Sequence, residues 1–538
     1  MSTFTSTARA YLNFALGLRG FLRERLTVDD MTAHFQDQIT HREENFLTTI
    51  RKSIFEYPQS PYLPLLKRAK LTHIDIERLV SQNGLEGTLE ELYEAGVYVT
   101  VEELKGRTPI KRGDLEYHVK DADFDNPDLK PAIITRSGGS TGTPSHSKLN
   151  YDYLKHKGIN YMLMYHLHNV LNYADATWSG WLPLATTINV VLINSLIDND
   201  IDHWFTPTQL ASASPSWYYT LLNYLMVGMV RLQGRYYPLP QVVTMDDPLP
   251  IAKWIVERVK NGRGCRLGMT VSKAVRLCLV AKENGLDLTG SVMVVGGEPS
   301  TDVKIKIIED SGAKHLEQYA CTEAGMIAMP CLNPQTKDDM HVMDNHIALI
   351  QRPIEVLDQT VNAVCLTTLF PISPKMLLNT QTDDFGIVEK RDCGCPIYDM
   401  GLHQHIYNIR SYRKLTGEGV TLVGSDMETI LEHVFPSKFG GSLLDYQLAE
   451  EEDEQGFTKL FLYVAPHIKI EDEQQLIDTL LNAMKHSAPS VQLAQPEYKQ
   501  AQTIAIRRQQ PMLTPRGKYF SIYTLAMSHQ ARPQDKKL

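Results

Sequence analysis

Cysteine is scarce, with seven residues in a chain of 538. The odd count and scattered spacing exclude a disulfide framework and suit a reducing cytoplasm. Positive charge is not in surplus either, since 54 basic against 63 acidic residues leave a formal net charge of −9. Such a surface offers no general attraction to nucleic acid or anionic lipid, so neither is expected as a partner. Long apolar runs are also missing. The uncharged stretch from Ala176 to Ile197 has the length of a membrane span, but it contains Gly180, Pro183, two asparagines and several hydroxyl residues. It reads as a buried or pocket-lining segment, and no membrane insertion is expected. Arg9, Arg19, Arg23 and Arg25 surround the short apolar stretch Ala10–Leu18. No small-residue cleavage site follows it, so it reads as an amphipathic helix rather than a signal peptide. There is no internal repeat and no low-complexity segment.

What is present is an ordinary globular balance, 43% hydrophobic and 22% charged, in a chain too long for one core. Residues 1–105 read as helical and amphipathic. Leu66, Ala69, Ile74, Ile76 and Leu79 mark the apolar positions, after a run broken by Pro58, Pro61 and Pro64. From Pro131 the pattern changes to short β-branched segments with glycine loops and helices. Ser291–Val295 reads as a buried strand, followed by Gly296-Gly297-Glu298-Pro299, a helix from about Thr301 to Ser311 and a short strand into Tyr319. Strand, loop, helix, strand implies parallel pairing, with ligand loops beyond the carboxyl ends of the strands. The last part reads as a short helix at Asp426–Val434 and a hairpin from Leu443–Leu448 and Leu460–Val464 with Glu450–Glu454 in its turn. A helix at Glu471–Met484 and a strand at Thr503–Arg507 follow. The expected fold is α/β: a large domain with mixed and parallel sheets and helices, then a small mobile C-terminal α+β domain. The expected divisions are a helical region 1–105 packed on the large domain, the large domain 106–409, the small domain 410–527 and a polar tail 528–538.

The most informative run is Arg136-Ser137-Gly138-Gly139-Ser140-Thr141-Gly142-Thr143-Pro144, after a short β-like segment, Ala132–Thr135. Small hydroxyls and glycines let backbone N–H groups close around phosphate oxygens, where a Cβ would block the approach. It is not the common ATPase loop, because no Gly-Lys-Ser/Thr ends it. It resembles the Thr-Ser-Gly-Ser/Thr-Thr-Gly-x-Pro-Lys loop of the adenylate-forming enzymes, the superfamily of acyl-CoA synthetases, peptide-synthetase adenylation domains and luciferases. Four further segments match that pattern in order. Gly296-Gly297-Glu298-Pro299 is similar to the adenine loop. Tyr319-Ala320-Cys321-Thr322-Glu323 resembles Tyr-Gly-x-Thr-Glu, which implies an aromatic beside the adenine, Thr322 on the α-phosphate and Glu323 on Mg²⁺. Thr382-Asp383-Asp384-Phe385-Gly386 resembles the ribose-binding Thr-Gly-Asp segment, with Asp384 in the aspartate's place. Thr514-Pro515-Arg516-Gly517-Lys518 resembles the C-terminal segment whose lysine, here Lys518, enters the site during adenylation. Ile409-Arg410-Ser411-Tyr412-Arg413 lines up with the Gly-Arg-x-Asp hinge, which makes Arg410 a ribose or phosphate contact. Thr108–Leu115 resembles the Pro-rich, Lys-x-Asp-Leu segment of the phenylacetate–CoA ligase branch. One departure is chemical: Ser145 stands where the loop lysine is usual, with Lys148 close by.

The resemblance implies an ATP- and Mg²⁺-dependent ligase that converts a small carboxylic acid to acyl-AMP and passes it to a thiol, with CoA as the leading acceptor. A separate carrier protein or an amine is the alternative acceptor, and a nucleotide-binding protein that no longer catalyses is a third reading. Trp178, Trp181 and Asn189 stand where the family lines its acyl pocket, with core packing as the alternative for the tryptophans. Cys331, His341, Cys393 and Cys395 are candidate ligands of a structural zinc, which some members of the resembled branch carry at comparable places. The other reading of that set is three buried free thiols and an unrelated histidine.

Overall fold

The computed structural model describes residues 17–523 apart from 130–132, 137–145, 182–191, 198, 208–216, 357–358, 412–413, 418–419, 424–426, 428–429, 453–457, 486–502, 513–518 and 520. Its centre holds two sheets. The first has six strands in the order Lys314–Glu317, Ser291–Gly296, Cys265–Thr270, Ala174–Trp178, Ile201–Thr206 and Gln241–Val242. Every neighbouring pair in it is parallel. The Ser291–Gly296 strand is buried on both faces because its residues are continuously apolar, as central parallel strands require. The helix that follows, Asp302–Asp310, starts where the Thr301 side chain accepts from the Lys304 backbone N–H.

The second sheet has eight strands. Seven run antiparallel in the order Tyr319–Cys321, Gly325–Pro330, Met340–Val342, Gln404–Ser411, Thr380–Lys390, Gln359–Thr368 and Ile347–Val356. The eighth, Val99–Thr100, joins Thr380–Gln381 in parallel. The chain therefore passes from the first sheet to the second within Gln318, directly between two candidate site segments.

Helices before residue 105 share the core of the second sheet. The Thr49 hydroxyl donates to Leu369 O at 3.0 Å, the buried Tyr62 hydroxyl lies 3.1 Å from the Thr380 hydroxyl, and Asn379 Nδ2 donates to Leu89 O at 2.7 Å. The helix His73–Glu94 begins in a capping box between Thr72 and Asp75 and is kinked at Gly84, whose φ is 69°. Ile74, expected on the apolar face, is 74% exposed beside that cap.

A four-stranded sheet forms the C-terminal unit, in the order Ile504–Arg507, Thr458–Val464, Tyr446–Glu452 and Ile522–Tyr523. The helix Gln474–Lys485 covers it with Leu476, Leu480 and Leu481. The expected acidic turn is corrected here, because Glu450, Glu451 and Glu452 continue the strand. Glu451 is held there by Arg507 at 2.7 Å and by the Tyr463 hydroxyl, so neighbouring-strand partners outweigh the charge run.

Candidate nucleotide site and metal centre

The phosphate-loop segment differs from the sequence reading in its setting. Its flanks, Ile133–Arg136 and His146–Leu149, form an antiparallel two-stranded sheet of their own. These two strands therefore belong to neither central sheet, and the loop between them lies outside the described residues. Ser137, Gly138, Gly139, Ser140, Thr141, Gly142, Ser145, Asn189 and Lys518 lie outside the described residues.

The glycine loop does leave the carboxyl end of a parallel strand. A Cβ on Gly296 would sit 2.8 Å from Gln318 O, and Gly297 has a φ of 81°, so neither position tolerates a side chain without strain. The buried Glu298 turns inward, where Oε2 accepts from the backbone N–H of Ser272 at 3.0 Å and from its hydroxyl at 2.5 Å. Ser272 is the second residue of the helix Val271–Glu283, so the carboxylate also meets the positive end of that helix. The Glu298 carboxylate thus ties the loop to the start of that helix.

Tyr319 and Asp384 meet across the second sheet, the phenol donating to Asp384 Oδ2 at 2.8 Å. Burial, then the Asp384 carboxylate, pushes the Tyr319 hydroxyl well above its ordinary range, so it stays a donor. The Asp-Asp pair divides by strand alternation, with Asp383 buried and Asp384 half-buried beside Tyr319. Arg410 lies next to them, its strand pairing Phe385 with Arg410 and Asp384 with Ser411. Thr322 is half-buried in the turn after the Tyr319–Cys321 strand. Glu323 Oε1 is 2.8 Å from Lys105 Nζ, and its side chain is 16% exposed.

Two expected pocket residues have packing roles. Trp178 is fully buried among the helices and strands of the parallel sheet, its indole N–H donating to Val243 O at 3.1 Å. Trp181 packs edge-on against Trp204, with centroids 5.6 Å apart. A different wall faces the Gln318–Gly325 segment, namely the helix Tyr151–Leu167. At four-residue spacing, Tyr161 hydrogen-bonds Gln318, Lys157 lies beside Cys321, and the Tyr153 hydroxyl packs against Gly325. Burial pulls the Lys157 ammonium down to about 8. Sequence reasoning missed these residues. The spacing was visible, but the surface it faces was not.

Cys331, His341, Cys393 and Cys395 converge. Their ligand atoms lie within 4.8 Å of one another, and all four residues are buried. His341 Nε2 is 3.5 Å from Cys393 Sγ and 3.3 Å from Cys395 Sγ. Tetrahedral zinc, with bonds of about 2.3 Å to sulfur and about 2.1 Å to nitrogen, separates S from N by roughly 3.6 Å. His341 Nδ1 faces Leu402 O at 2.8 Å, which fixes the proton there and leaves the Nε2 lone pair for the centre. Gly394, with a φ of 64°, lets both flanking thiols turn to one side. No disulfide competes, since all seven cysteines are free.

A cavity of about 370 Å³ lies beside this cluster, along the outer edge of the Lys314–Glu317 strand and lined in part by His168, His315, Glu317 and Asp339. Glu298, Tyr319, Glu323 and Asp384 do not border it, so it is separate from the candidate nucleotide segments. Among the described residues, no helix is long and apolar enough to cross a membrane.

No protein family and no curated protein matches the sequence. Solved structures do. A 2-hydroxyisobutyryl-CoA ligase in complex with 2-HIB-AMP and CoA superposes with a TM-score of 0.55 at 12% identity, covering 94% of this chain and 93% of that one. An amide bond synthetase from Marinactinospora thermotolerans gives a TM-score of 0.42 at 12% identity over 76% of this chain and 70% of its own. The chain thus has the adenylate-forming ligase fold that its motifs predict.

Proposed function

We propose that this protein is an AMP-forming ligase that activates a small carboxylic acid with ATP and transfers the acyl group to CoA. The observation that carries this reading is the 2.8 Å contact between Tyr319 and Asp384. Two motif residues, 65 positions apart in sequence, stand together at the end of the glycine loop's strand, where a nucleoside needs an aromatic and a ribose acceptor. A chain of the same fold holds an acyl-AMP and CoA together.

In the first half-reaction a carboxylate oxygen of the acid attacks the α-phosphorus. An O–P bond forms as the bond to the bridging oxygen breaks, and pyrophosphate leaves. In the second, the CoA sulfur attacks the acyl carbon and AMP leaves. Both steps need positioning and charge stabilisation more than covalent chemistry from the protein. Gly296 and Gly297 admit the base, Asp384 accepts the ribose hydroxyls, and Arg410 reaches ribose or phosphate. Ser137 to Gly142 cradle the phosphates with Thr322. Glu323 suits a cation, since its carboxylate already holds an ammonium at 2.8 Å. Magnesium there would neutralise triphosphate charge. Lys518 brings a point cation from the small domain, which turns relative to the large one between half-reactions.

Cys331, His341, Cys393 and Cys395 form a closed set for structural zinc, with four protein ligands and no open position. The test of the enzymatic reading is acid-dependent pyrophosphate exchange with Mg-ATP across aryl, fatty and amino acids. The active acid is then offered CoA, a holo-carrier protein and amines. Exchange with one acid class, followed by thioester formation on CoA, is the expected result. No exchange with any acid overturns it and leaves a nucleotide-binding protein.

A further inference from the structure

The glycine loop and the C-terminal unit are joined by a buried lysine. Lys304 sits in the first turn of the helix Asp302–Asp310 and is 1% exposed. Its ammonium donates to the carbonyl of Pro299, which ends the glycine loop, at 3.3 Å. It also donates to the Thr458 hydroxyl at 2.8 Å. Thr458 is itself buried and begins the Thr458–Val464 strand of the C-terminal sheet. One side chain therefore ties the candidate adenine loop to a strand 154 positions further along the chain. The position is otherwise a poor one for a cation. Among the described residues Lys304 makes no ion pair, and both acceptors of its ammonium are neutral. The amino end of a helix carries positive partial charge, which disfavours an ammonium in its first turn.

A buried ammonium gives up its hydration, and two neutral acceptors offset only part of that loss. A methionine would fill much the same space without it. What the ammonium adds is a bond that exists only while the C-terminal strand lies against this helix. When the unit moves away, water reaches the ammonium and offsets the lost hydrogen bond. The contact is thus directional in place and low in cost to release, the combination that a latch needs. We propose that Lys304 is a positioning residue that latches the C-terminal unit to the glycine loop and lets go when that unit turns between the two half-reactions. The proposal rests on the two-step ligase reading above. Because the same ammonium holds Pro299 O, release also loosens the loop, so the loop and the unit change together.

The experiment compares the full-length wild type with Lys304→Met, Thr458→Val, Thr458→Ser and the double variant of Lys304→Met with Thr458→Val. Melting is recorded to establish folding. Backbone amide hydrogen exchange is followed in residues 296–310. Pyrophosphate exchange and thioester formation from preformed acyl-AMP are measured as separate half-reactions. Thr458→Val keeps the shape and removes the acceptor. It is expected to speed amide exchange in residues 296–310 by about tenfold, the scale for losing a hydrogen bond to a charged group. It should also shift the ratio of the two half-reaction rates by about fivefold or more. Thr458→Ser, which keeps the hydroxyl, should stay close to the wild type. The double variant should do no more than Lys304→Met alone, because both changes remove the same bond. Unchanged amide exchange in Thr458→Val overturns the proposal, since the bond would then couple nothing. So do half-reactions slowed in equal proportion, which is what local damage gives, and so does full additivity in the double variant. If the wild type makes acyl-AMP from no acid, the ligase reading fails, while amide exchange and the double variant still decide whether Lys304 ties the unit to the loop.

Discussion

Replacing Glu317 with glutamine should change how stability depends on pH. Glu317 ends the edge strand of the parallel sheet and is 8% exposed. Burial pushes its carboxyl up to about 8, against an ordinary 4.5, while a hydrogen bond from Ser300 and the charge of Arg410 oppose the rise and Asp338 adds to it. The native state therefore keeps the proton through neutral pH, while the unfolded chain gives it up near 4.5. In this window the native state binds more protons, so stability falls as pH rises. Each pH unit is worth about 1.4 kcal/mol, and the window from 4.5 to about 8 sets a ceiling on the order of 5 kcal/mol. Glutamine keeps the shape and polar contacts without the titration. Urea unfolding of both proteins between about pH 5 and about pH 9.5 should show the variant gaining on the wild type up to about pH 8, then a constant gap. Asp344, raised to about 7 by burial, has the same slope in both proteins and cancels in the difference. Parallel profiles across the whole range would refute the reasoning, because they would mean that Glu317 is ionised or solvated in the native state.

Freshly purified, chelator-free protein should contain zinc at close to one equivalent, and Cys395→Ser should lose most of it. Elemental analysis with far-below-stoichiometric zinc would return the cluster to free thiols. Arg266 is 1% exposed and pairs with the buried Asp175 while donating to Val170 O and Leu171 O at 2.7 and 2.8 Å. Arg266→Met strands that carboxylate and should cost about 3–5 kcal/mol. Asp175→Asn added to it should recover part of the loss, as read by denaturant midpoints. Lys518→Ala should abolish adenylation far more than thioester formation from preformed acyl-AMP, measured as separate half-reactions. Equal loss of both would remove Lys518 from its role.

Legibility in the sequence followed how local the determining physics is. Ser291–Val295 was readable because a continuous apolar run before two glycines has few other places to go, and Ser291–Gly296 is the observed strand. The metal set was readable only from residue type together with the family resemblance, with free thiols as the other reading, and its convergence depends on Gly394 and on Leu402 O, neither of which has a signature. The phosphate loop's setting was not readable. A strand followed by a glycine loop looks the same whether the next partner is a helix or the second arm of a hairpin, here His146–Leu149. Trp178 had two readings of similar weight, and its place depends on Val243, 65 residues away. Lys105 carried no signal at all, since its partner Glu323 is 218 residues distant.

That distance bears on what residues before 105 are for. The motifs begin at Thr108, yet the second sheet is incomplete without the earlier chain. Val99–Thr100 supplies the parallel neighbour of Thr380–Gln381, and Thr380 begins the strand that carries Asp384 four residues later. The preceding Asn379 has a φ of 48°, a conformation unusual for a side-chain-bearing residue. It is held there by Leu89 O at 2.7 Å and Val97 O at 3.2 Å. Tyr62 contacts both Leu378 N and the Thr380 hydroxyl at 3.1 Å. The earlier helices therefore set the start of the strand on which the candidate ribose acceptor stands. Lys105 then reaches from their last turn to Glu323. The same region fixes Asp384 through backbone register and Glu323 through charge. It acts on the site from two sides, although none of the recognisable motifs lies within it.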